Sequence, residues 1–149
     1  MKRKTKILNT AEIKFPSLSQ NESLARAFTS AFLMQLNPTI EEISDLKCAV
    51  SEAVTNSIVH GYVDKTGDIK LRYTVQDNDV VVIDVIDKGC GIDDIIKAEE
   101  PLFTTNTDGE RSGMGFTVMK AFTDKMKVYS KPGKGTRVRL VKTLVRDDT

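Results

Sequence analysis

Glu52 and Asn56 are the first residues of this sequence whose types and spacing suggest a functional site. They lie four positions apart, so they share one side of a helix, and that side is not the apolar one. An acidic residue and an amide at this spacing could belong to a site or to an ordinary solvated helix face. The pair alone does not decide between these interpretations. Other stretches of the chain favour a site.

The second candidate is the carboxylate of Asp87, which ends a run of valine and isoleucine residues. Strand periodicity places Asp87 on the same face as alternate apolar residues of that run. If helices cover this face, the carboxylate needs a hydrogen-bond donor, because an unpaired buried charge is very costly. Gly89 and Gly91 follow, and glycines there would allow a flat ring to approach the main chain closely.

The third candidate is an anion site. A polar, turn-rich stretch over residues 101–112 runs into Gly113-Met114-Gly115 and a predicted helix. This order would direct backbone N–H groups and the positive end of the helix toward an anion. Later, Gly133-x-Gly135 precedes Thr136, whose hydroxyl shares the face parity of the core. Glycines mostly mark turns, so each piece is weak alone, but their joint order is far more specific.

Two helices are predicted from capping boxes, in which a Ser or Thr is followed three residues later by Glu. The first opens at residues 19–22 and runs to about residue 36. Its predicted inner face contains Leu24, Ala27, Phe28, Ala31 and Phe32, and its outer face contains Glu22, Arg26, Thr29 and Leu33. An exposed Leu33 beside Arg26 would suit a partner-binding surface. Alternatively, Glu22 and Arg26 form only a surface ion pair.

The second predicted helix opens at residues 39–42 and ends at Gly61, where a helix C-terminus favours a residue that tolerates positive φ. Its inner face is a stripe at helical spacing, made of Ile43, Leu46, Val50, Ala53, Val54 and Ser57. This helix carries Glu52 and Asn56 on another side. It is therefore the element around which the candidate site is organised.

Strands are predicted over residues 5–15, 69–76, 80–87, 126–130 and 135–145. A short helix is expected over 92–100 and another from 113 to about 125. Helices and mostly hairpin-linked strands in this order predict an α/β (α+β) fold. The expected architecture is a two-layer sandwich in which helices cover a mixed, mainly antiparallel sheet.

Composition limits the classes of function. With 149 residues, 40% hydrophobic and 29% charged, the chain is expected to form a single domain over 1–149, with 1–5 as a flexible tail. A net charge of +1 gives no electrostatic footprint for nucleic acid. No apolar run suits a membrane span or signal peptide. Cys48 and Cys90 fit neither a disulfide framework nor a zinc site, which indicates reduced thiols and a cytoplasmic location.

Together these motifs resemble the ATPase fold shared by gyrase, heat-shock chaperones, sensor histidine kinases and mismatch-repair proteins, the Bergerat-type ATP-binding fold. The resemblance rests on Glu52-x-x-x-Asn56, Asp87-x-Gly89-x-Gly91, Gly113-x-Gly115 and Gly133-x-Gly135-Thr136, and covers essentially the whole chain. Within this fold, the chain is most similar to the sporulation anti-sigma factors with serine kinase activity. That closer similarity lies in residues 19–26, 50–62, 101–105 and 110–116.

The resemblance implies binding of ATP or ADP with Mg²⁺. Asp87 would accept a hydrogen bond from the adenine amino group, and Asn56 would coordinate the magnesium ion. Glu52 would be the general base for an incoming serine hydroxyl, and Arg111 would neutralise charge on the γ-phosphate. The remaining implied nucleotide contacts are Gly89, Gly91, Thr104, Thr105, Gly113, Met114, Gly115 and Thr136, of which Thr104 and Thr105 would lie in a closing lid with Arg111.

The resemblance also implies the partners. The chain would bind an RNA polymerase sigma factor, expected to be sporulation sigma F, and would phosphorylate an anti-anti-sigma protein on a serine. A homodimer is implied, and neither direct nucleic-acid binding nor membrane association is expected. Arg26 and Leu33 are the predicted partner-binding residues.

Several alternatives remain open at the level of sequence. The chain could be a stress-response anti-sigma kinase, or a binding module that uses ATP as a structural ligand without catalysis. A Walker A loop and the HRD and DFG signatures of eukaryotic-type kinases are absent. A histidine kinase would need a phosphoacceptor on a separate dimerising helix, whereas the only histidine, His60, ends the helix that carries Glu52 and Asn56.

Overall fold

A computed structural model describes residues 4–92 and 115–146 of the chain. Its strands are β1 (Ile7–Pro16), β2 (Asp68–Gln76), β3 (Val80–Asp87), β4 (Lys125–Lys131) and β5 (Gly135–Thr143). They form one five-stranded sheet in the order β1-β2-β3-β5-β4, and each neighbouring pair is antiparallel. The predicted strands are confirmed to within two residues at each end.

The helices are α1 (Asn21–Met34), α2 (Ile40–Asn56) and α3 (Gly115–Ala121). Helix α2 continues directly into a π-helical turn, Ser57–Gly61, and packs against both α1 and α3. The two-layer α+β fold is therefore confirmed, but the sheet of the described residues is antiparallel throughout and not mixed. The predicted end of α3 near residue 125 is wrong, because β4 already begins at Lys125. The helix predicted over 92–100 falls almost entirely outside the described residues.

The start of α2 confirms its capping box and adds a tertiary contact. The Thr39 hydroxyl accepts from the Glu42 N–H at 3.0 Å, and Glu42 Oε1 accepts from the Thr39 N–H at 2.8 Å. The other carboxylate oxygen, Oε2, accepts from the backbone N–H of Val145 at 2.6 Å. Glu42 is buried, so a single carboxylate caps the helix and attaches the segment after β5 to it.

Helix α1 starts differently from the sequence prediction. Gln20 is the N-cap residue and makes no side-chain capping bond, so the capping box over residues 19–22 is wrong. Glu22 instead accepts hydrogen bonds from the hydroxyls of Ser51 at 2.6 Å and Thr55 at 3.0 Å. These bonds cross to α2, so Glu22 holds the two helices together.

The predicted inner face of α1 is confirmed for Phe32 and, as a half-buried residue, for Phe28, but it is wrong for Leu24, Ala27 and Ala31, which are exposed. Leu33 is fully buried, whereas Leu24 is 43% exposed, so Leu33 cannot belong to a partner-binding surface. The buried positions are Ala25, Thr29, Phe32 and Leu33. Thr29 is inside because its hydroxyl bonds both the Ala25 carbonyl and the phenol of Tyr73 in the core. Because its hydroxyl is hydrogen-bonded to a buried partner, Thr29 can lie in the core, and the buried face of α1 is rotated by about one residue from the predicted face. Arg26 remains exposed, as predicted.

The covered face of the sheet contains the main core, to which β2 contributes Leu71 and Tyr73 and β3 contributes Ile83 and Val85. Asp87 continues this inward parity at the end of β3. The other face carries the buried Asp84, whose carboxylate receives two bonds from Arg139 on β5, at 2.8 and 3.2 Å. Within the described ranges, no helix has the length and apolarity required to cross a membrane.

The double role of Glu42 gives a stability prediction. Glu42→Ala leaves two backbone N–H groups without their acceptor, and each such loss costs roughly 1–3 kcal/mol where the group stays buried. Glu41→Ala is the matched control, because Glu41 is exposed in the same first turn and shares any interaction with the helix dipole. Urea unfolding should show Glu42→Ala less stable than Glu41→Ala by about 2 kcal/mol or more. Equal losses would contradict the tertiary role of Glu42.

Candidate functional site

The Asp87 carboxylate is the most constrained polar group of the candidate site. It is 5% exposed, on the helix-covered side, which confirms its predicted direction. The Ser57 hydroxyl donates to Oδ2 at 2.7 Å, and the Gly89 backbone N–H donates to Oδ1 at 2.9 Å. Burial raises the pKa of Asp87, while the hydrogen bonds from Ser57, Gly89 and the Thr136 backbone act in the opposite direction. The sequence predicted that a ligand would donate to Asp87, whereas the protein itself supplies hydrogen-bond donors to this carboxylate.

These bonds leave acceptor capacity on the carboxylate. An ionised carboxylate offers about four lone-pair sites and no donor. Ser57 and Gly89 each use one site, one on each oxygen, and the Thr136 backbone uses another. A ligand with an N–H or NH₂ group could use what remains. A ligand that presents only acceptors there would meet electrostatic repulsion.

The loop after β3 is held between two other segments of backbone. A Cβ on Gly89 would lie 2.2 Å from the Gly61 carbonyl oxygen, and a Cβ on Gly91 would lie 2.1 Å from that of Lys131. Gly91 also has a φ of 78°. The neighbouring Cys90 N–H donates to the Gly61 carbonyl at 2.9 Å. The two glycines are thus required for the loop to pack against the π-helical turn and the β4–β5 hairpin, whatever ligand is bound.

Gly61 has a different role from the one predicted. Its φ is not positive, so the expectation of a left-handed residue at the helix end is wrong. The π-helical turn instead places Gly61 beside the site, where an added Cβ would lie 3.2 Å from both carboxylate oxygens of Asp87. Glycine at this position avoids a crowded contact with the carboxylate.

Tyr62 fixes the backbone that follows Asp87. Its hydroxyl accepts from the Lys88 N–H at 2.7 Å and donates to the Asp68 carbonyl at 2.6 Å. The Tyr62 ring is buried against Gly67, where any Cβ would overlap the ring. The start of the loop is therefore attached to β2 through one phenol group.

Thr136 lies opposite Asp87 in the β3–β5 register, which confirms that these two residues meet. Its hydroxyl is 2.8 Å from the hydroxyl of Ser130 on β4. Ser130 also accepts from the Ile92 N–H at 2.8 Å and lies within 2.9 Å of the Gly135 carbonyl. Thr136 shares the inward face of β5 with buried Val138 and Leu140, as the alternation predicts.

Glu52 and Asn56 face the start of α3. A Cβ on Gly115 would lie 3.2 Å from the Asn56 amide nitrogen and 3.5 Å from Glu52 Oε2. Both side chains belong to half-buried residues, so the pair is not a fully solvated surface. Asn56 immediately precedes Ser57, which contacts Asp87. The geometry therefore joins the pair, Asp87 and Gly115 in one continuous region.

The other predicted site residues cannot be placed. Thr104, Thr105, Arg111, Gly113 and Met114 lie outside the described residues, and their roles stay predictions. Among the residues that are described, no group of three or more His, Cys, Asp or Glu side chains could hold a metal ion. Glu52 and Asn56 do present oxygen donors, which suit Mg²⁺ when most of its ligands are waters and substrate phosphates.

Sequence reasoning missed three residues of this region, Ser57, Tyr62 and Ser130. Ser57 had a usable signal, since a hydroxyl interrupts an apolar stripe in a protein that also buries a carboxylate. Ser130 could have been found as a polar residue at an inward position of β4. Tyr62 carried no comparable signal, because its role depends on backbone groups that become neighbours only in the fold.

Comparison with known proteins agrees with this arrangement. Residues 15–142 match the family described as the histidine kinase-like ATPase domain. The anti-sigma F factor of Caldanaerobacter subterraneus is 56% identical over 139 residues, which is 93% of this chain and 96% of that protein. The anti-sigma F factor of Clostridium acetobutylicum is 51% identical over 134 residues, covering 90% of this chain and 93% of that protein.

Solved structures show the same fold at much lower sequence identity. The crystal structure of the RsbU and RsbW domains of Rv1364c from Mycobacterium tuberculosis matches 94% of this chain and 34% of that chain, with a TM-score of 0.70 at 20% identity. A histidine kinase domain from Erythrobacter litoralis matches 70% of this chain and 45% of that chain, with a TM-score of 0.52 at 23% identity. The chain belongs to the histidine kinase-like ATPase family and, within it, to the anti-sigma F factors.

Proposed function

We propose that this anti-sigma factor binds ATP and uses it to phosphorylate a serine of an anti-anti-sigma protein, and that it inhibits a sigma factor, sporulation sigma F. The observation that carries the ATP part is the buried Asp87 carboxylate, which retains acceptor capacity beside Thr136 and the glycine loop. The similarity to anti-sigma F factors supports the sigma factor as partner. The proposed location is the cytoplasm.

Adenine recognition is the proposed role of Asp87. The exocyclic amino group of adenine is a donor, and it would use the acceptor capacity that Ser57 and Gly89 leave free. Guanine has a carbonyl acceptor at the corresponding position, so an ionised Asp87 would repel it. The Thr136 hydroxyl and the backbone of Gly89 and Gly91 are the proposed neighbours of the ring.

Phosphoryl transfer is assigned to the polar side of α2. The substrate serine oxygen would form a bond to the γ-phosphorus of ATP while the bond from that phosphorus to the β–γ bridging oxygen breaks and ADP leaves. Glu52 would take the proton of the serine hydroxyl as general base. Asn56 would hold Mg²⁺, which neutralises phosphate charge when bound. Gly115 lies against both side chains, so the start of α3 would border the phosphates.

The remaining proposed nucleotide residues lie outside the described part of the chain. Thr104, Thr105 and Arg111 would close over the triphosphate, and Gly113 and Met114 would contact the phosphates. These assignments rest only on the similarity to the family. A non-catalytic module that binds ATP as a structural ligand is the competing function, and phosphotransfer from labelled ATP distinguishes it from a kinase.

The proposed partner surface lies on α1 around Arg26, which is exposed. The same helix carries Glu22, which is bonded to Ser51 and Thr55 on α2. Ser51 directly precedes Glu52, the proposed general base, and Thr55 directly precedes Asn56, the proposed magnesium ligand. The partner helix is therefore fixed to the helix that would hold the nucleotide.

We also propose a homodimer, to be tested by sedimentation of the full chain.

The first prediction separates ATP recognition from stability at Asp87. Burial raises the pKa of Asp87 from its ordinary 3.8, so the folded state holds the proton more tightly than the unfolded chain. This contribution to stability is present at low pH and is lost as pH rises through the folded-state pKa. Asp87→Asn cannot ionise, so its stability does not fall as pH rises through the pKa of Asp87. The Ser57 hydroxyl can turn to accept a hydrogen bond from the new amide.

Calorimetry and thermal unfolding test this prediction together. At pH 7.5 without nucleotide, Asp87→Asn should be at least as stable as the wild type. Its ATP binding should be weaker by about 1–3 kcal/mol, the scale of a buried polar group left unsatisfied. Wild-type ATP affinity in the folded variant would contradict the adenine assignment.

The second prediction concerns catalysis. Glu52→Gln keeps the size of the side chain but cannot accept the proton, so phosphotransfer should slow by roughly 100-fold or more. ATP affinity should change little. Asn56→Ala should instead reduce the dependence of nucleotide binding on Mg²⁺. The measurements are phosphotransfer from labelled ATP to a cognate anti-anti-sigma protein, and ATP titrations with and without Mg²⁺. Wild-type transfer by Glu52→Gln would remove Glu52 from the mechanism.

The third prediction concerns the partner. Arg26→Glu reverses an exposed charge and should weaken sigma factor binding by about 1 kcal/mol or more, the upper range of an exposed ion pair. ATP affinity should stay at the wild-type value, since Arg26 is not among the proposed nucleotide contacts. Lys47→Glu is a suitable control, because it reverses a charge on α2. The surface assignment fails if Arg26→Glu binds the sigma factor as the wild type does, or if Lys47→Glu weakens binding by the same amount.

A further inference from the structure

Ser57 is a buried polar residue that the proposed function leaves without a role. It is 5% exposed and is the first residue of the π-helical turn that follows α2. Its hydroxyl donates to Asp87 Oδ2 at 2.7 Å. Its carbonyl accepts from the Tyr62 N–H at 3.0 Å and so closes the turn. Wide helical turns of this kind occur frequently at functional sites.

We infer that Ser57 is a positioning residue for nucleotide recognition, whose hydroxyl holds the Asp87 carboxylate turned so that its free lone pairs face the base. This inference rests on the proposed function, because it assumes that Asp87 contacts adenine. It adds a residue outside the four motifs on which recognition of the site depends.

The orientation of the carboxylate depends on two bonds from different segments. The torsion that turns an aspartate carboxyl group is intrinsically broad, so the side chain alone does not fix the plane. Gly89 holds Oδ1 from the loop, and Ser57 holds Oδ2 from the helix. Without the hydroxyl, Oδ2 would lose the one side-chain donor that the described residues supply to it within a buried site. The carboxylate would then rotate or take up a proton, and either change reduces its value as an acceptor.

Of the hydrogen bonds to the Asp87 side chain, the one from Ser57 can be removed by a substitution that leaves the backbone in place. Gly89 cannot move without displacing backbone, because its Cα packs against the Gly61 carbonyl. The Lys88 N–H is held by the Tyr62 hydroxyl, which fixes the preceding peptide as well. The Ser57 hydroxyl, by contrast, can be removed without altering any backbone contact. A single substitution therefore isolates its effect on the carboxylate.

Protonation gives this role a distinct signature. Burial raises the pKa of Asp87, and the Ser57 hydrogen bond is the largest of the effects that lower it. Removing the hydroxyl should raise this pKa further, so ATP binding should weaken more at acidic pH. The other titratable groups on adjoining segments are His60, Tyr62, Asp68, Lys88, Cys90 and Lys131. All of them are the same in wild type and variant, so a difference between the two profiles reports on Ser57 and Asp87.

The experiment compares Ser57→Ala with the wild type and with Ser51→Ala. Ser51 is the matched control, because its hydroxyl also donates from α2 to a carboxylate, that of Glu22. ATP affinity of the full chain, with Mg²⁺, is measured by calorimetry from pH 6 to pH 8.5 in buffers of different ionisation enthalpy. Circular dichroism confirms that each variant is folded.

We expect Ser57→Ala to bind ATP about tenfold more weakly at pH 7.5, the scale of one hydrogen bond to a charged group. The loss should grow toward pH 6, where binding should also release more protons than in the wild type. Ser51→Ala should follow the wild-type profile. A purely structural role would weaken binding equally at every pH without additional proton release, and that result would overturn the inference.

Failure of the proposed function would look different. If the wild type itself bound no ATP at any pH, both the proposed function and the inference would be rejected. If the wild type bound ATP and Ser57→Ala matched it throughout, only the role of Ser57 would be rejected.

Discussion

The burial of one carboxylate, that of Asp87, is the constraint on which the site depends. An inward charge at the end of β3 is tolerated only because donors from α2's continuation, from the loop and from β5 meet it. These donors come from three segments that are distant in sequence. Their convergence holds the start of the π-helical turn, the loop after β3 and the start of β5 against one carboxylate. The same bonds leave an acceptor that remains available to a ligand.

The glycine motif follows from the same convergence. Gly89 and Gly91 bring the loop within contact distance of the Gly61 and Lys131 carbonyls. A side chain at either position would separate the loop from its neighbours and would remove the Gly89 N–H from Asp87. A pattern that resembles a ligand-binding signature is therefore also a packing requirement of the fold itself. The two explanations are compatible, because a loop held this closely presents its backbone in a fixed position.

The strands, α2 and the inward direction of Asp87 could be predicted from sequence because each depends on local periodicity or on a local cap. The prediction for α1 was wrong for a physical reason. Thr29 is buried because its hydroxyl, which donates to the Ala25 carbonyl, is also hydrogen-bonded to the Tyr73 phenol more than 40 residues away. Tyr62 was missed for the same reason, since its partners belong to other elements, whereas helical spacing placed Ser57 on the inner face and only its bond to Asp87 was missed. Long-range hydrogen bonds between polar groups leave no periodic signal, so apolar patterns alone cannot place them.

Helix α2 is held along its length by three carboxylates. Its own Glu42 caps the first turn and binds the Val145 N–H, Glu22 from α1 binds Ser51 and Thr55, and Asp87 binds Ser57 at the far end. The helix is thus attached to other segments at its first turn, in its last turns and at the residue that follows it. A ligand that alters the Asp87 contact therefore acts on the same element to which α1 is attached. A ligand shifts a conformation only by its differential affinity for the two states. If nucleotide influences the α1 surface, ATP and ADP must therefore differ in their affinities for two positions of helix α2.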